Sequence, residues 1–380
     1  MRILMLVATS VATDTRVLRE ATALVEAGHT VHIIGKSVPE DFVAPTGVTV
    51  SSVGTSSVFR AEGAPSLQAR GPLPWHVRLA RWVLLPQHRN SAFSRWAHGA
   101  VEDGRGREYD VVHAHDFTAL EAGQTLAQVR AVPLVYDTHE LWSGRPRLHR
   151  PTPLQDRRER RVEKDIGARA VAVLTVGEGV AERLRELYGW THVHVVRNTF
   201  VPSTEGPPAR PTGAVYAGRL APHRELEVIA AASVDAPVPI TLIGPSDDTW
   251  LAGFDAGAAQ LRAPVSSEEV TVLLQQAGIA LVTHGDAFAN LRLALPNKLF
   301  QAVAAGVPVV ATDVGAMGEI VAAHGLGTLY RRGDVAGFRR ALDDLIADYP
   351  AWCEKVAHAR TTLTWSADAA RLVDVYEAIR

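Results

Sequence analysis

Leu295-Pro296-Asn297-Lys298-Leu299-Phe300-Gln301-Ala302-Val303-Ala304-Ala305-Gly306-Val307-Pro308-Val309-Val310-Ala311-Thr312-Asp313 reads as a loop, a helix, a glycine stop and a buried strand. Pro296 suits a first helical turn, where a missing N–H costs nothing. Gly306 suits a left-handed helix end. The run from Val307 to Thr312 is largely apolar, as in a parallel strand covered on both faces. Lys298 falls in the first turn of the helix, and a cation beside unpaired backbone N–H groups attracts phosphate. A nucleoside diphosphate site is one expectation; a surface lysine on an ordinary α/β helix is the other.

The same plan repeats outward from this stretch. Apolar runs at Ile3–Ala8, Val31–Ile34, Val111–Ala114, Leu134–Tyr136, Val171–Val176 and Val193–Val196 alternate with helical patterns. In the helix Arg16–Ala27, Val17, Leu18, Ala21, Leu24 and Val25 share a face, with Asp14 to cap its start and Gly28 its end. Glu178–Tyr188 is a second amphipathic segment, closed by Gly189. Pro202–Gly213, rich in Pro and Gly, reads as an interdomain linker. The alternation then restarts with strands at Ala214–Ala217, Ile240–Ile243, Ile279–Val282 and Thr328–Tyr330, and helices at Glu225–Ala232, Ser267–Gln276, Gly318–Ala323 and Val335–Ala347. Alternation without hairpin signals predicts α/β architecture: two doubly wound parallel-sheet (Rossmann-like) domains facing across a cleft. The boundaries expected are 1–200 and 212–364, with a C-terminal helix at about 365–380 packing back on the first domain. Ligands of such sheets bind beyond the carboxyl ends of the strands.

With 380 residues the chain is too long for one small core. A formal net charge of −2 leaves no basic excess for wrapping nucleic acid. One cysteine, Cys353, excludes an intramolecular disulfide and fits a reducing compartment. The short apolar start at Met1–Ala8 reads as a first strand rather than a signal peptide. A cytoplasmic protein is expected.

Four segments together resemble the retaining glycosyltransferases of family 4, which have the GT-B fold. They are Asp14-Thr15-Arg16-Val17-Leu18-Arg19-Glu20-Ala21 with Gly28-His29-Thr30-Val31, then Asp110-Val111-Val112-His113-Ala114-His115-Asp116, then Ala217-Gly218-Arg219-Leu220 with Arg224, and last the opening segment with Gly315-Ala316-Met317-Gly318-Glu319-Ile320-Val321. Val135-Tyr136-Asp137-Thr138-His139-Glu140-Leu141, Thr175-Val176-Gly177 and Val195-Val196-Arg197-Asn198 add shorter matches in the right order.

The resemblance implies a transferase that moves a sugar from a nucleoside diphosphate donor, such as a UDP-sugar, to an acceptor hydroxyl with retention. The acceptor is a small molecule, a polysaccharide or a lipid-linked group. Arg219, Arg224 and Lys298 would stabilise the diphosphate as its charge grows, because fixed cations aimed at developing charge lower a barrier. The family usually carries Lys-Gly where this chain has Arg224-Glu225, so the charge is kept and the glycine is not. Gly218, Asn297, Gln301, Gly315, Gly318, Glu319 and His284 are the remaining donor-side candidates; Glu319 would accept a ribose hydroxyl or cap its helix. His115 is the match to the family's active-site histidine, with His113 on the same strand face. Asp14, Arg16, Asp116, Asp137, His139 and Glu140 are the acceptor-side candidates.

The largest departure lies at the family's paired glutamates, where this chain has Leu293 and Gln301. Gln301 retains an amide for ribose hydroxyls; Leu293 retains nothing, so Asp286, His284 or Asn290 would substitute, or the donor would be a deoxysugar. No two aspartates stand two positions apart to hold Mg²⁺ or Mn²⁺ on a diphosphate, so no metal and no cofactor is expected. A metal at Asp137, His139 and Glu140 is the weaker reading. Arg70–Trp96 is basic and aromatic without an acidic residue, which fits either contact with the inner face of a membrane or a solvated helix. Arg157–Lys164 interleaves its charges and reads as a solvated helix. Two rivals stay open: a non-catalytic nucleotide-sugar-binding partner protein, and a nucleotide-sugar epimerase or phosphorylase of the same fold.

Overall fold

The structure is a computed structural model and describes residues 1–54, 95–144 and 153–380. Arg70–Trp96, apart from its last two residues, lies outside them. The described residues form two compact units. The first comprises Met1–Thr175, Ala181–Val195 and Arg371–Arg380; the second comprises Val176–Val180 and Val196–Ala370.

The first unit is built on a seven-stranded sheet in the order β3-β2-β1-β4-β5-β6-β7, every pair parallel. Its strands are β1 (Arg2–Val7), β2 (Thr30–Lys36), β3 (Val48–Val53), β4 (Val111–His115), β5 (Leu134–Thr138), β6 (Ala172–Thr175) and β7 (Val193–Val195). β1, β4 and β5 are apolar-rich and buried because helices cover both faces. The helix Thr15–Glu26 starts at Asp14, whose carboxylate accepts from the Val17 N–H. Its buried face carries Arg16 and Glu20 beside Val17, Ala21 and Leu24.

The second unit holds a six-stranded parallel sheet in the order β10-β9-β8-β11-β12-β13. These strands are β8 (Gly213–Ala217), β9 (Ile240–Ile243), β10 (Gln260–Arg262), β11 (Gly278–Val282), β12 (Val309–Thr312) and β13 (Gly327–Tyr330). Separate apolar clusters fill its two faces, one with Tyr216, Leu242, Phe338 and Tyr349, the other with Val282, Leu299, Val303 and Met317. Fully buried Leu299 and Phe300 anchor the helix Asn297–Ala305, each contributing about 2–3 kcal/mol of burial.

β3 and β10 escape the sequence pattern because each is an edge strand without an apolar run; all three residues of β10 are exposed. Pro296 sits one place before the first helical turn, with extended backbone, and not inside it. Pro202–Gly213, read from composition as a linker, is bonded to the second unit. Ser203 N–H donates to Ala304 O, and Gln275 Nε2 donates to Ser203 Oγ and Glu205 O at 2.9 and 2.6 Å. The segment stays largely exposed, and these bonds rather than dense packing hold it in place. The last helix, Trp365–Ile379, begins in the second unit and ends in the first. No helix among the described residues is long and apolar enough to cross a membrane.

Candidate active site

In each sheet the strand order reverses direction once, between β1 and β4 in the first unit and between β8 and β11 in the second. Such switch points open a crevice at the strands' carboxyl ends. His115 ends β4, and Arg219 and His284 follow β8 and β11, so these candidates fall at the strand ends beside the two switch points.

In the second unit, Gly218 and Arg219 follow β8, His284 follows β11 and Asp313 follows β12, while two helices begin at Asn297 and Gly315. The Arg224 carbonyl accepts from Thr283 Oγ1 at 2.7 Å, and Gly285 N–H donates to His223 O at 3.0 Å, which ties the arginine loop to the end of β11. Lys298 is half-buried. Its Nζ donates to Thr283 O at 2.6 Å and lies 4.1 Å from the centroid of the Tyr216 ring. Burial, reinforced by the Arg224 charge, pushes Lys298 well below the usual lysine range. Burial likewise holds His284 down at about 4, so it is neutral at pH 7; its Nδ1 bonds Gly285 O at 2.9 Å. Among the described residues, no carboxylate pairs with Arg219, Arg224 or Lys298. Cations set together without a counter-charge repel one another, and a bound polyanion removes that cost.

The other donor-side candidates separate. Asn297 accepts from Asn198 Nδ2 at 2.7 Å. The helix Gly315–His324 has no side-chain cap, leaving its first N–H groups unclaimed by a cap. Gly315 (φ +46°) needs glycine, because a Cβ there would lie 2.0 Å from Arg292 O; at Gly318 a Cβ would lie 2.5 Å from Asp313 Oδ1. Glu319 is exposed on that helix. Gln301 departs from expectation. Its amide nitrogen donates to Ser267 O at 2.8 Å, Thr271 Oγ1 at 3.2 Å and Ser267 Oγ at 3.3 Å. A buried amide takes the partners its surroundings offer, and here they belong to the helix Ser267–Ala277 rather than to a ribose.

In the first unit the register sets Val7 beside His115 and His115 beside Asp137. Arg16 grips Asp137 through two bonds, Nε to Oδ2 at 2.9 Å and Nη2 to Oδ1 at 2.8 Å. Asp137 Oδ2 also lies 3.3 Å from His115 Nδ1 and 3.2 Å from His139 Nε2. Asp116, at φ +61°, accepts from the His139 N–H at 3.1 Å, and its other oxygen is 3.4 Å from His139 Nδ1. A left-handed backbone at a non-glycine residue is strained; here the carboxylate it delivers holds His139. Asp14 is occupied as the helix cap, and Glu140 offers its carbonyl to Thr138 Oγ1 at 2.6 Å.

These contacts fix the charges. Burial would push the Asp137 carboxyl up, but Arg16 and then His139 hold it well below the usual range. Burial opposes charge on His139 too, yet Asp116 and then Asp137 raise it to about 10. Burial keeps His115 and His113 below the usual histidine value, hence neutral at pH 7. His115 Nδ1 stands between the Asp137 carboxylate and His139 Nε2, at 3.3 Å from each, and its Nε2 is buried without a hydrogen-bond partner among the described residues.

Sequence reading missed Glu20, although it stands four residues after Arg16 on the buried face, at the spacing that pairs helix neighbours. It also missed Tyr216 beneath Lys298 and Tyr376 behind His113. Donor atoms of Glu20, His113, His115 and Asp137 lie within 4.8 Å of one another. The Arg16 guanidinium stands against both carboxylates, at 2.9 and 2.8 Å, so a dication would meet a fixed positive charge. Glu140 is not part of this set.

Comparison with known proteins supports the family and the fold. Residues 12–199 match a glycosyl transferase 4-like domain and residues 212–348 match the glycosyl transferases group 1. Together they span most of the chain, which belongs to the family 4 type of GT-B glycosyltransferases. It is similar to a glycogen synthase of Mycobacterium tuberculosis, 26% identical over 95% of this chain and 89% of the relative. It is also similar to a phosphatidyl-myo-inositol mannosyltransferase of Mycolicibacterium smegmatis, 25% identical over 91% and 94%. Sucrose-phosphate synthase from Thermosynechococcus elongatus shares the fold with a TM-score of 0.73 at 16% identity over 100% of this chain and 99% of the other. Anabaena HepE in complex with UDP does so at 0.68 and 15% over the whole of both.

Proposed function

We propose that this glycosyltransferase moves a sugar from a nucleoside diphosphate sugar to an acceptor hydroxyl with retention, and that Arg219, Arg224 and Lys298 hold the diphosphate in place of a metal ion. The observation that carries the reading is Lys298, set beside Arg224 at the carboxyl end of β11 without a carboxylate partner among the described residues. When the bond from the anomeric carbon to the diphosphate breaks, its electron pair stays on the phosphate oxygen. The acceptor oxygen forms the new bond to that carbon and gives up its proton to the departing diphosphate. Three fixed cations and the uncapped N-terminus of Gly315–His324 stabilise the growing charge. His115, neutral and held by Asp137 and His139, has its Nε2 buried without a partner among the described residues, and that atom is the one left to bond a hydroxyl of the transferred sugar. A UDP-sugar is the first donor to test, and sugar, polysaccharide and lipid-linked hydroxyls the acceptors.

The decisive experiment replaces Arg219, Arg224 and Lys298 one at a time by Ala and measures kcat/KM for transfer and UDP affinity. Each loss is expected at about 10²–10³-fold in kcat/KM, the size seen when one transition-state donor is removed. Unchanged turnover in all three would refute the assignment. A second reading, a binder without turnover, draws on Gln301 being engaged elsewhere and Leu293 being apolar. It predicts that UDP or UDP-sugars raise the melting temperature while no acceptor is glycosylated.

A further inference from the structure

We propose that Tyr376 and His113 are positioning residues for His115, the Tyr376 hydroxyl fixing the tautomer of His113, whose ring is the plate that holds the His115 imidazole. The inference rests on the reading that His115 meets the transferred sugar.

Tyr376 lies fully buried on the helix Trp365–Ile379. Burial, with Glu20 and Asp137 nearby, pushes its phenol well above the usual tyrosine range, so it keeps its proton and must donate it. Its hydroxyl sits 2.8 Å from His113 Nδ1, the one hydrogen bond it makes among the described residues. Nδ1 is therefore the acceptor, and the proton of the neutral His113 ring resides on Nε2. That N–H faces Glu20 Oε2 at 3.9 Å.

His113 and His115 are two residues apart on β4 and share a face. Their rings stack with centroids 4.2 Å apart and planes inclined by 20°. His115 Nδ1 is held from its other side by Asp137 Oδ2 and His139 Nε2, each at 3.3 Å, so the His113 ring is the surface against which it is set. The neighbouring charges belong to Arg16, Asp137 and His139, with Glu20 against the Nε2 edge of His113. Without the phenol, His113 Nδ1 loses its buried donor. The proton is then free to move to Nδ1, or the ring to turn over, and the surface behind His115 is no longer defined. Losing a buried hydrogen bond of ordinary strength corresponds to about a tenfold change in population.

The test uses the full chain labelled with ¹⁵N-histidine, wild type and Tyr376→Phe. Long-range ¹H–¹⁵N correlation at pH 7 reads each tautomer, thermal melting checks the fold, and steady-state transfer gives kcat and donor KM. The wild type should show His113 protonated on Nε2. Tyr376→Phe should show mixed tautomers and a kcat lower by about tenfold, with donor KM unchanged. A wild-type His113 protonated on Nδ1 overturns the proposal without any variant, and so does a folded Tyr376→Phe with an unaltered tautomer. A shifted tautomer with unaltered kcat dismisses the positioning role. His115→Ala then separates the two readings: if that variant loses turnover, the role of His115 stands and only the positioning fails.

Discussion

Replacing Glu20 by Gln should flatten part of the protein's pH-dependent stability. Glu20 is fully buried with Oε1 2.9 Å from Arg16 Nη2, a distance that invites the reading of an ion pair. Arg16, however, is already committed to Asp137 through two hydrogen bonds, and the Glu20 oxygens lack an aligned donor. Burial, opposed by Arg16 and aided by the Asp137 charge, pushes the Glu20 carboxyl up to about 8. An unfolded glutamate titrates near ~4.3. Between these values the unfolded chain has released a proton that the folded chain keeps. Stability from this group is thus fully present below about pH 4.3 and lost as pH rises through 8, at about 1.4 kcal/mol per pH unit. From pH 5 to pH 8 the ceiling is about 4 kcal/mol, and relaxation of the site reduces it to roughly 2 kcal/mol. Glutamine has no proton to lose. Urea unfolding of both proteins at pH 5, 6, 7 and 8, followed by tryptophan emission, should show the variant gaining about 2 kcal/mol on the wild type across the series. His139, raised to about 10, adds an alkaline slope common to both, which cancels in the difference. Parallel curves, with the variant weaker by about 3–5 kcal/mol throughout, would mean that Glu20 is ionised and paired with Arg16, and the reasoning would fail.

Two further substitutions test the second unit. Glu225 adopts φ +59°, where the family resemblance places a glycine, and its Oε2 accepts from the Gly333 N–H at 2.7 Å. Glu225→Ala keeps the strain and loses the bond, costing about 1–2 kcal/mol, whereas Glu225→Gly loses both and should melt within about 0.5 kcal/mol of wild type; equal losses would show that this backbone carries no strain. Gly315→Ala drives a Cβ to 2.0 Å from the Arg292 carbonyl, so calorimetry should show a loss above about 2 kcal/mol together with weaker UDP binding.

The parallel plan was legible because β1, β4, β11 and β12 are buried apolar runs, and their carboxyl ends mark where His115, His284 and Asp313 emerge. What sequence could not supply is partner choice. Lys298 was placed on the right helical turn, but only the structure sets its amine on Thr283 O above Tyr216. Gln301 kept the right position and gave its amide to a neighbouring helix. Arg157–Lys164 interleaves its charges and reads as a solvated helix, yet Glu163 is buried, accepting from Tyr136 and Tyr188 at 2.9 and 2.6 Å, while Arg157, Arg158 and Arg161 face solvent. Tyr376 stands 263 residues from His113 and belongs to no local pattern.

The two switch points solve opposite electrostatic problems with the same backbone plan. At β8/β11, Arg219, Arg224 and Lys298 have no carboxylate partners among the described residues, so charge balance is left to a ligand. At β1/β4, Arg16 and His139 are matched by Asp137 and Asp116, so the surplus is small and the two neutral histidines stand in a field already balanced. A site left positive attracts a polyanion; a balanced one orients neutral hydroxyls without a net pull on charge. Adding inorganic pyrophosphate should therefore protect the second unit's strand ends from hydrogen exchange and leave those of the first unit unaltered. That contrast follows from side-chain pairing, because the two crevices share one topology.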